Sequence, residues 1–344
     1  MIEVIVFGKG YGESILIHLE NKWIVVDSFV VRDNGVDYPV AIKYLQDNGY
    51  SIEDIIGVIC THWDNDHILG IRRIIELHSD GLALCLPIVY SDSKFLEYVS
   101  FNSDSAVNST GEFFEVLKLI KPKKVKRLYA IAGRNIFEKT FNGSGIYLKV
   151  LSPNDNQFSM FLDSISTPEN GQIKRDTTIE ENKISVVTYI KTCMDSILLG
   201  GDMENSQDGW KSICSNFTDD KCHIYKIPHH GSENGNNKNV WETMVDCPIS
   251  IITRFNLRNL PTEEMVKRIS LESSAVYVVG PKPRKDRKTI KQAKRYGDFS
   301  TVGTTMTELD FTYGYVKLSK ANENDNWTVN TFGAVEKYDS ENGQ

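Results

Sequence analysis

Short apolar, β-branched runs alternate along the chain with segments of helical periodicity. "IEVIVFG" and "SILIHLENKWIVVDSF" predict a hairpin, with a glycine-rich turn "GKGYGE" and a polar turn at Glu20–Lys22. "PVAIKYLQDNG" predicts a helix in which Val40, Tyr44 and Leu45 share a face and Gly49 takes the C-terminal cap. "IIGVIC" reads as a fully apolar strand, and "HILGIRRIIELH" as a helix turning Ile68, Ile71 and Ile75 inward. "LALCLPIVYS" and "TGEFFEVLKLIK" repeat the strand–helix rhythm, and "GIYLKVLSP" adds a strand. Residues 154–183 are polar and predict a surface loop with a short helix.

The second half continues with strands in "KISVVTYIKT", "DSILLGGD", "CHIYKIPHHGS", "PISIITRFN" and "SAVYVVG", then a late pair in "YGYVKLS" and "WTVNTFG". Helices fit at 205–216, 237–245 and 261–272. Alternating strands and helices with interspersed hairpins predict mixed sheets covered by helices. With no internal repeat and no low-complexity linker, the expectation is one domain over residues 1–333 and a disordered tail over 334–344.

Composition is that of an ordinary globular chain: 344 residues, 40% hydrophobic and 25% charged. A net charge of −7 argues against a general polyanion binder. No apolar run approaches the roughly 20 residues of a membrane-spanning helix, and "MIEVIVFGKG" lacks the pattern of a signal peptide. Cysteines at 60, 85, 193, 214, 222 and 247 form no CxxC pair, which suits reduced thiols. A cytoplasmic protein without membrane contact is therefore expected.

Three strand ends concentrate candidate metal chemistry. "THWDNDH" places His62, Asp64, Asp66 and His67 directly after an apolar strand. Side chains alternate along an extended strand end, so His62, Asp64 and Asp66 can point one way, and a turn can bring His67 beside them. Imidazoles and carboxylates together suit zinc, manganese or iron. "SILLGGD" ends in two glycines and Asp202, placed as a bridging carboxylate would be; "YKIPHHGSENG" ends in His229 and His230, of which at most one is a direct ligand.

"THWDNDHILG", "LLGGDME" and "KIPHHGSEN", in this order, resemble the metallo-β-lactamase fold, and most closely the branch containing ComEC hydrolase domains and phosphorylcholine esterases. "VFGKGYGESILI", "WIVVDS" and "ENKISVVTYI" resemble the same branch, and the likeness extends over nearly the whole chain. It implies an αββα sandwich with two divalent metal ions, Zn²⁺ or Mn²⁺, at one edge of the sheets. His62 and Asp64 would belong to one ion, Asp66 and His67 to the other, with Asp202 bridging. His230 would be the ligand of the histidine pair and His229 the catalytic group, alongside Asp66 and Glu204, with Ser232 facing substrate. Asp27 would orient the ligand loop from behind. Two departures stand out: Asp64 replaces the general fold's histidine, as is common in this branch, and no histidine occurs between His78 and His223. One site would therefore hold its ion more weakly, or use water or a carboxylate such as Asp92.

These ligands permit metal-activated hydrolysis of an ester or phosphoester. A phosphodiester substrate is expected, DNA or RNA first and a small nucleotide or phosphoester second. "KPKKVKR" at 121–127 and the run 281–295, which includes Arg284, Lys285, Arg287 and Lys288, could follow a phosphate backbone or bind a protein partner. The competing readings are a β-lactam or thioester hydrolase, and a non-catalytic binding or regulatory subunit that kept the fold.

Overall fold

The alternating apolar runs resolve into two eight-stranded sheets packed face to face. The structure is a computed structural model and describes residues 1–33, 35–102, 109–141, 144–165, 181–283 and 313–339. The first sheet begins with β1 (Ile2–Gly8), β2 (Glu13–Leu19) and β3 (Lys22–Val26), an antiparallel meander. A small hairpin of β4 (Val30–Asp33) and β5 (Val36–Pro39) follows, then α1 (Val40–Asp47). β6 (Ile55–Ile59), β7 (Ala83–Pro87) and β8 (Lys126–Ala130) add to β3 in parallel, connected by α2 (Asn65–Ile68), α3 (Ile71–Leu77), α4 (Ser93–Asn102) and α5 (Ser109–Ile120).

The second sheet repeats this plan. β9 (Asn135–Phe141), β10 (Ser144–Val150), β11 (Thr188–Lys191) and β12 (Ser196–Leu199) are antiparallel, with α6 (Asp155–Ser164) between β10 and β11. β13 (Cys222–Lys226), β14 (Val245–Thr253) and β15 (Ala275–Val279) then join β12 in parallel, with α7 (Ser212–Asn216), α8 (Lys238–Thr243) and α9 (Glu263–Leu271) between them. The chain returns to the first sheet as β16 (Gly314–Lys320), antiparallel to β1, and β17 (Thr328–Gly333), and crosses back as β18 (Val335–Asp339), antiparallel to β15.

Three apolar clusters follow from this layering. Val4, Ile17, Ile24 and Ile59 meet Ile190, Ile197, Ile224 and Ile251 between the sheets. The outer face of the first sheet packs Trp23, Val25 and Val58 against Leu45, Ile74 and Phe113 of the helices. The outer face of the second packs Leu198 and Tyr225 against Ile213, Val240 and Ile269. This is the αββα sandwich of the metallo-β-lactamase fold. No helix among the described residues is long and apolar enough to cross a membrane.

Two expectations need correction. Residues 335–339 are not a disordered tail: β18 pairs along β15 from Val279↔Val335 to Ala275↔Asp339, because the edge of β15 offers backbone groups that need partners. The helix expected across "HILGIRRIIELH" breaks at Gly70, whose φ of 102° ends α2 before α3 begins.

The sheets touch closely at Gly57, in the middle of β6. A Cβ there would lie 2.2 Å from Cζ of Phe137, whose ring belongs to the opposite sheet. Gly57→Ala should destabilise the fold by about 1–3 kcal/mol through overpacking, read as a lower urea midpoint, and Phe137→Leu in the same chain should recover part of the loss. An unchanged midpoint in Gly57→Ala would show that the ring is not held against β6.

Candidate metal centre

The carboxyl ends of four parallel-running strands meet at one edge of the sandwich, where α/β folds commonly place ligands. β3 ends in Asp27, β6 runs into Thr61-His62, β12 into Gly200-Gly201-Asp202, and β13 into His229-His230.

The sequence forces these ends into unusual backbone. Asp27, His229 and His230 have φ of 55°, 48° and 53°, and Gly201 has φ of 52°. For the non-glycine residues this conformation costs of order 1–3 kcal/mol each and clusters at functional sites. At Gly201 glycine is required twice over, since a Cβ would also lie 2.8 Å from the Val186 carbonyl oxygen.

The turns aim buried groups at one another. Asp27 accepts from the Thr61 amide at 2.7 Å and the Thr61 hydroxyl at 2.6 Å, and its Oδ2 lies 2.7 Å from His67 Nδ1. That contact places the Nδ1 proton toward Asp27 and leaves Nε2 facing forward. The Thr61 hydroxyl, having given its proton to Asp27, accepts from His62 Nδ1 at 2.9 Å. His62 Nε2, His67 Nε2 and Asp202 Oδ1 are buried without a hydrogen-bond partner. Ligand atoms of His62, His67 and Asp202 lie within 4.8 Å of one another, and so do those of Asp66, His67 and His230. His230 Nε2 is 3.1 Å from Asp66 Oδ2 and 3.7 Å from Asp202 Oδ2, and His67 Nε2 is 3.5 Å from Asp202 Oδ1.

Three buried polar atoms without partners, each costing about 1–3 kcal/mol, fit a cation that would satisfy them together. The electrostatics agree. Burial drives the His62 imidazole down to about 3, so it is neutral with a free lone pair. Burial would raise Asp202 and Asp66, yet the neighbouring His67 and His230 hold Asp202 well below the usual carboxylate range and Asp66 at about 2. Burial works against charge on His67, but Asp202, Asp66 and Asp27 outweigh it and raise its pKa well above the usual value. These carboxylates create a field that favours positive charge at the position the imidazoles face.

The expected residues fall into distinct places. Asp64 is at the start of α2 with its Oδ2 3.7 Å from His62 Nε2; burial, then Glu181 and Asp66, raise its pKa well above the usual range. His229 turns the other way from His230: Nε2 is 3.3 Å from Asn182 Nδ2, and Nδ1 is 3.6 Å from Glu204 Oε1. Burial lowers its pKa. Glu204 also accepts from Asn234 at 2.9 Å, and Ser232 donates to Asn234 Oδ1. Asp92 instead accepts from the Lys94 amide at the start of α4, and joins none of the metal-competent groups among the described residues. Arg284, Lys285, Arg287 and Lys288 lie outside the described residues. The basic stretch 121–127 enters β8 at the end opposite the metal centre, where Lys123 donates to the His78 carbonyl and Lys124 pairs with Asp80.

Sequence reasoning missed Thr61, Asn182, Ser185 and Thr253. Asn182 and Ser185 belong to the "ENKISVV" flank, in the stretch without histidine; Asn182 reaches His229, and the Ser185 hydroxyl accepts from the Asp202 amide at 2.9 Å. A polar residue before an apolar strand gives no signal of its own.

The model of the Metallo-beta-lactamase superfamily matches residues 7–144, which include the first ligand cluster. No curated protein matches the sequence. Solved structures similar in fold include a metal-dependent hydrolase of the beta-lactamase superfamily, 13% identical over 79% of this chain and 93% of that one, with a TM-score of 0.44. Zn(2+)-bound PqqB from Methylobacterium extorquens is 13% identical over 72% of this chain and 81% of that one, with a TM-score of 0.37. A metallo-beta-lactamase from Cronobacter sakazakii is 11% identical over 64% and 75%, with a TM-score of 0.36.

Asp202→Ala should remove most bound metal, since its carboxylate is within reach of both histidine groups. Elemental analysis of Asp66→Ala/Asp202→Ala showing wild-type metal content would rule this centre out.

Proposed function

We propose that this protein is a metal-dependent hydrolase of phosphodiesters, nucleic acid first and small phosphoesters second, of the branch that contains ComEC hydrolase domains and phosphorylcholine esterases. The observation that supports it most is the convergence of His62, His67 and Asp202, and of Asp66, His67 and His230, with buried unpartnered ligand atoms. In this reading His62, Asp64 and Asp202 hold one divalent ion, and Asp66, His67, His230 and Asp202 hold the other. When bound, the ions would polarise a phosphoryl oxygen and lower the pKa of water. The chain's own groups do the rest. His229, set between Asn182 and Glu204, is placed to hold a proton for the leaving oxygen. Ser232 and Asn234 line the same rim and bind substrate. Burial of the ligand imidazoles keeps bulk water from competing with the carboxylates.

The test is purified protein with Mn²⁺, Zn²⁺ or no metal, assayed on single-stranded DNA, duplex DNA, RNA and a chromogenic phosphodiester. Metal-dependent turnover of a phosphodiester is expected, with Mn²⁺ at least as effective as Zn²⁺, because Asp64 adds a hard carboxylate where the general fold has imidazole. Bound metal without turnover of any of these substrates would favour the binding-subunit reading. Activity with zinc that manganese never improves would refute the metal preference.

The run 281–295 carries eight cations in a chain of net charge −7, and surface charges in general contribute little to stability. We assign it to the phosphate backbone of a nucleic-acid substrate. Replacing Arg284, Lys285, Arg287 and Lys288 with serine should weaken nucleic-acid binding and flatten its log–log salt slope by roughly 0.7–0.9 per lost contact. Hydrolysis of the small chromogenic ester should hardly change. Unaltered affinity at low salt would move the segment to a protein-partner surface.

A further inference from the structure

Behind His230 lies a group of charges that the proposed chemistry does not use. His230 Nδ1 is 3.0 Å from the Thr253 hydroxyl and 3.2 Å from the Thr253 carbonyl. The hydroxyl gives its own proton to Glu13 Oε2 at 2.5 Å, so toward His230 it can only accept. The carbonyl also only accepts. His230 therefore carries its proton on Nδ1, and Nε2 faces Asp66 and Asp202. Glu13 Oε2 in turn pairs with Lys226, whose side chain is completely buried. Glu13 comes from β2 of the first sheet, Lys226 and Thr253 from β13 and β14 of the second, so the group spans the seam between the sheets.

The same construction recurs at the neighbouring histidine, where Thr61 donates a hydrogen bond to Asp27 and accepts one from His62. A carboxylate acting through a threonine hydroxyl thus fixes the ring nitrogen of two separate imidazoles. The Glu13 pair has a further consequence. Oxygens of Glu13 and Asp27 and a nitrogen of His67 lie within 4.8 Å of one another, a third grouping that could hold a cation. The Lys226 ammonium contacts Glu13 and supplies that positive charge from the chain itself, which disfavours a metal ion at this rear position.

We propose that Glu13, Lys226 and Thr253 are positioning residues for metal binding: the buried ion pair anchors the Thr253 hydroxyl, which holds His230 with Nε2 toward the forward position only. This rests on the reading of His230 as a metal ligand. Partners of this kind behind a ligating histidine typically change metal affinity 10–100-fold.

The test titrates the full chain with Zn²⁺ and with Mn²⁺ in competition with a chromogenic chelator, alongside thermal unfolding of the metal-free protein. Thr253→Val, which keeps the shape and removes the hydroxyl, should weaken the tighter ion 10–100-fold in a metal-free chain that thermal unfolding shows to be folded at the temperature of the titration. Thr253→Ser should restore the affinity. Glu13→Leu/Lys226→Met, which removes the pair together and leaves no buried charge alone, should weaken binding in the same way. Wild-type affinity in Thr253→Val, or a loss in Thr253→Ser as large as in Thr253→Val, overturns the relay while leaving His230 a ligand. A wild-type chain that takes up neither ion overturns the metal reading itself, and this inference with it.

Discussion

The arrangement at the sheet edge depends on the burial of carboxylates. Asp27, Glu13, Asp66 and Asp202 are all at least nine-tenths removed from solvent. Isolated, each would be far too costly to keep ionised in the interior. Asp27 is compensated by His67 and two donors from Thr61, Glu13 by Lys226 and Thr253, and Asp66 by His230. Asp202 faces His67 Nε2 at 3.5 Å and His230 Nε2 at 3.7 Å, but its Oδ1 has no hydrogen-bond partner. The carboxylates behind the centre are thus hydrogen-bonded, whereas Asp202 Oδ1 in front is not, and it is there that His62 and His67 present unpartnered nitrogens. A cation would answer all three atoms at once.

Holding that geometry requires both sheets. His67 is braced by Asp27 from the first sheet, and His230 by Thr253 from the second, itself tied to Glu13 of the first. The left-handed residues Asp27, His229 and His230 lie where strand ends must turn sharply to bring these groups to the seam. Their strain is offset by the close-packed sheets on either side, so the site is as rigid as the sandwich that carries it.

Much of this was legible in the sequence, because the ligands sit at the ends of short apolar runs. Periodicity located "IEVIVFG" as β1 to the residue and placed the strands that end in the DxDH, GGD and HHG motifs, so three candidate ligand clusters at strand ends could be read from spacing, while their meeting at one edge and the choice of His230 over His229 were implied only by the family resemblance. The supporting residues were not legible. Thr253 and Glu13 are separated by 240 positions and meet only because the end of β14 and the start of β2 come together at the seam. The strand β18 was invisible for a related reason: "VEKYD" is polar and half-exposed, and only the unpaired edge of β15 makes it a strand. Gly70 was read as a helical position, since periodicity does not register a single residue of positive φ.

The two halves of the centre are not braced alike, and this bears on the missing histidine. Asp66, His67 and His230 are buried, and the two imidazoles are held from behind by Asp27 and Thr253. On the other side His62 is buried and braced through Thr61, but Asp64 has a side chain 41% exposed and no hydrogen bond to cap α2. The stretch that lacks a histidine contributes Asn182, which turns toward His229 instead. A carboxylate that keeps some solvent contact and makes no cap hydrogen bond must lose rotamer freedom before it can bind a cation, whereas a braced imidazole has already lost it on folding. Two ions bound here would therefore differ in affinity, the weaker one on the His62–Asp64 side, and the difference would come from how the ligands are held as much as from how many there are.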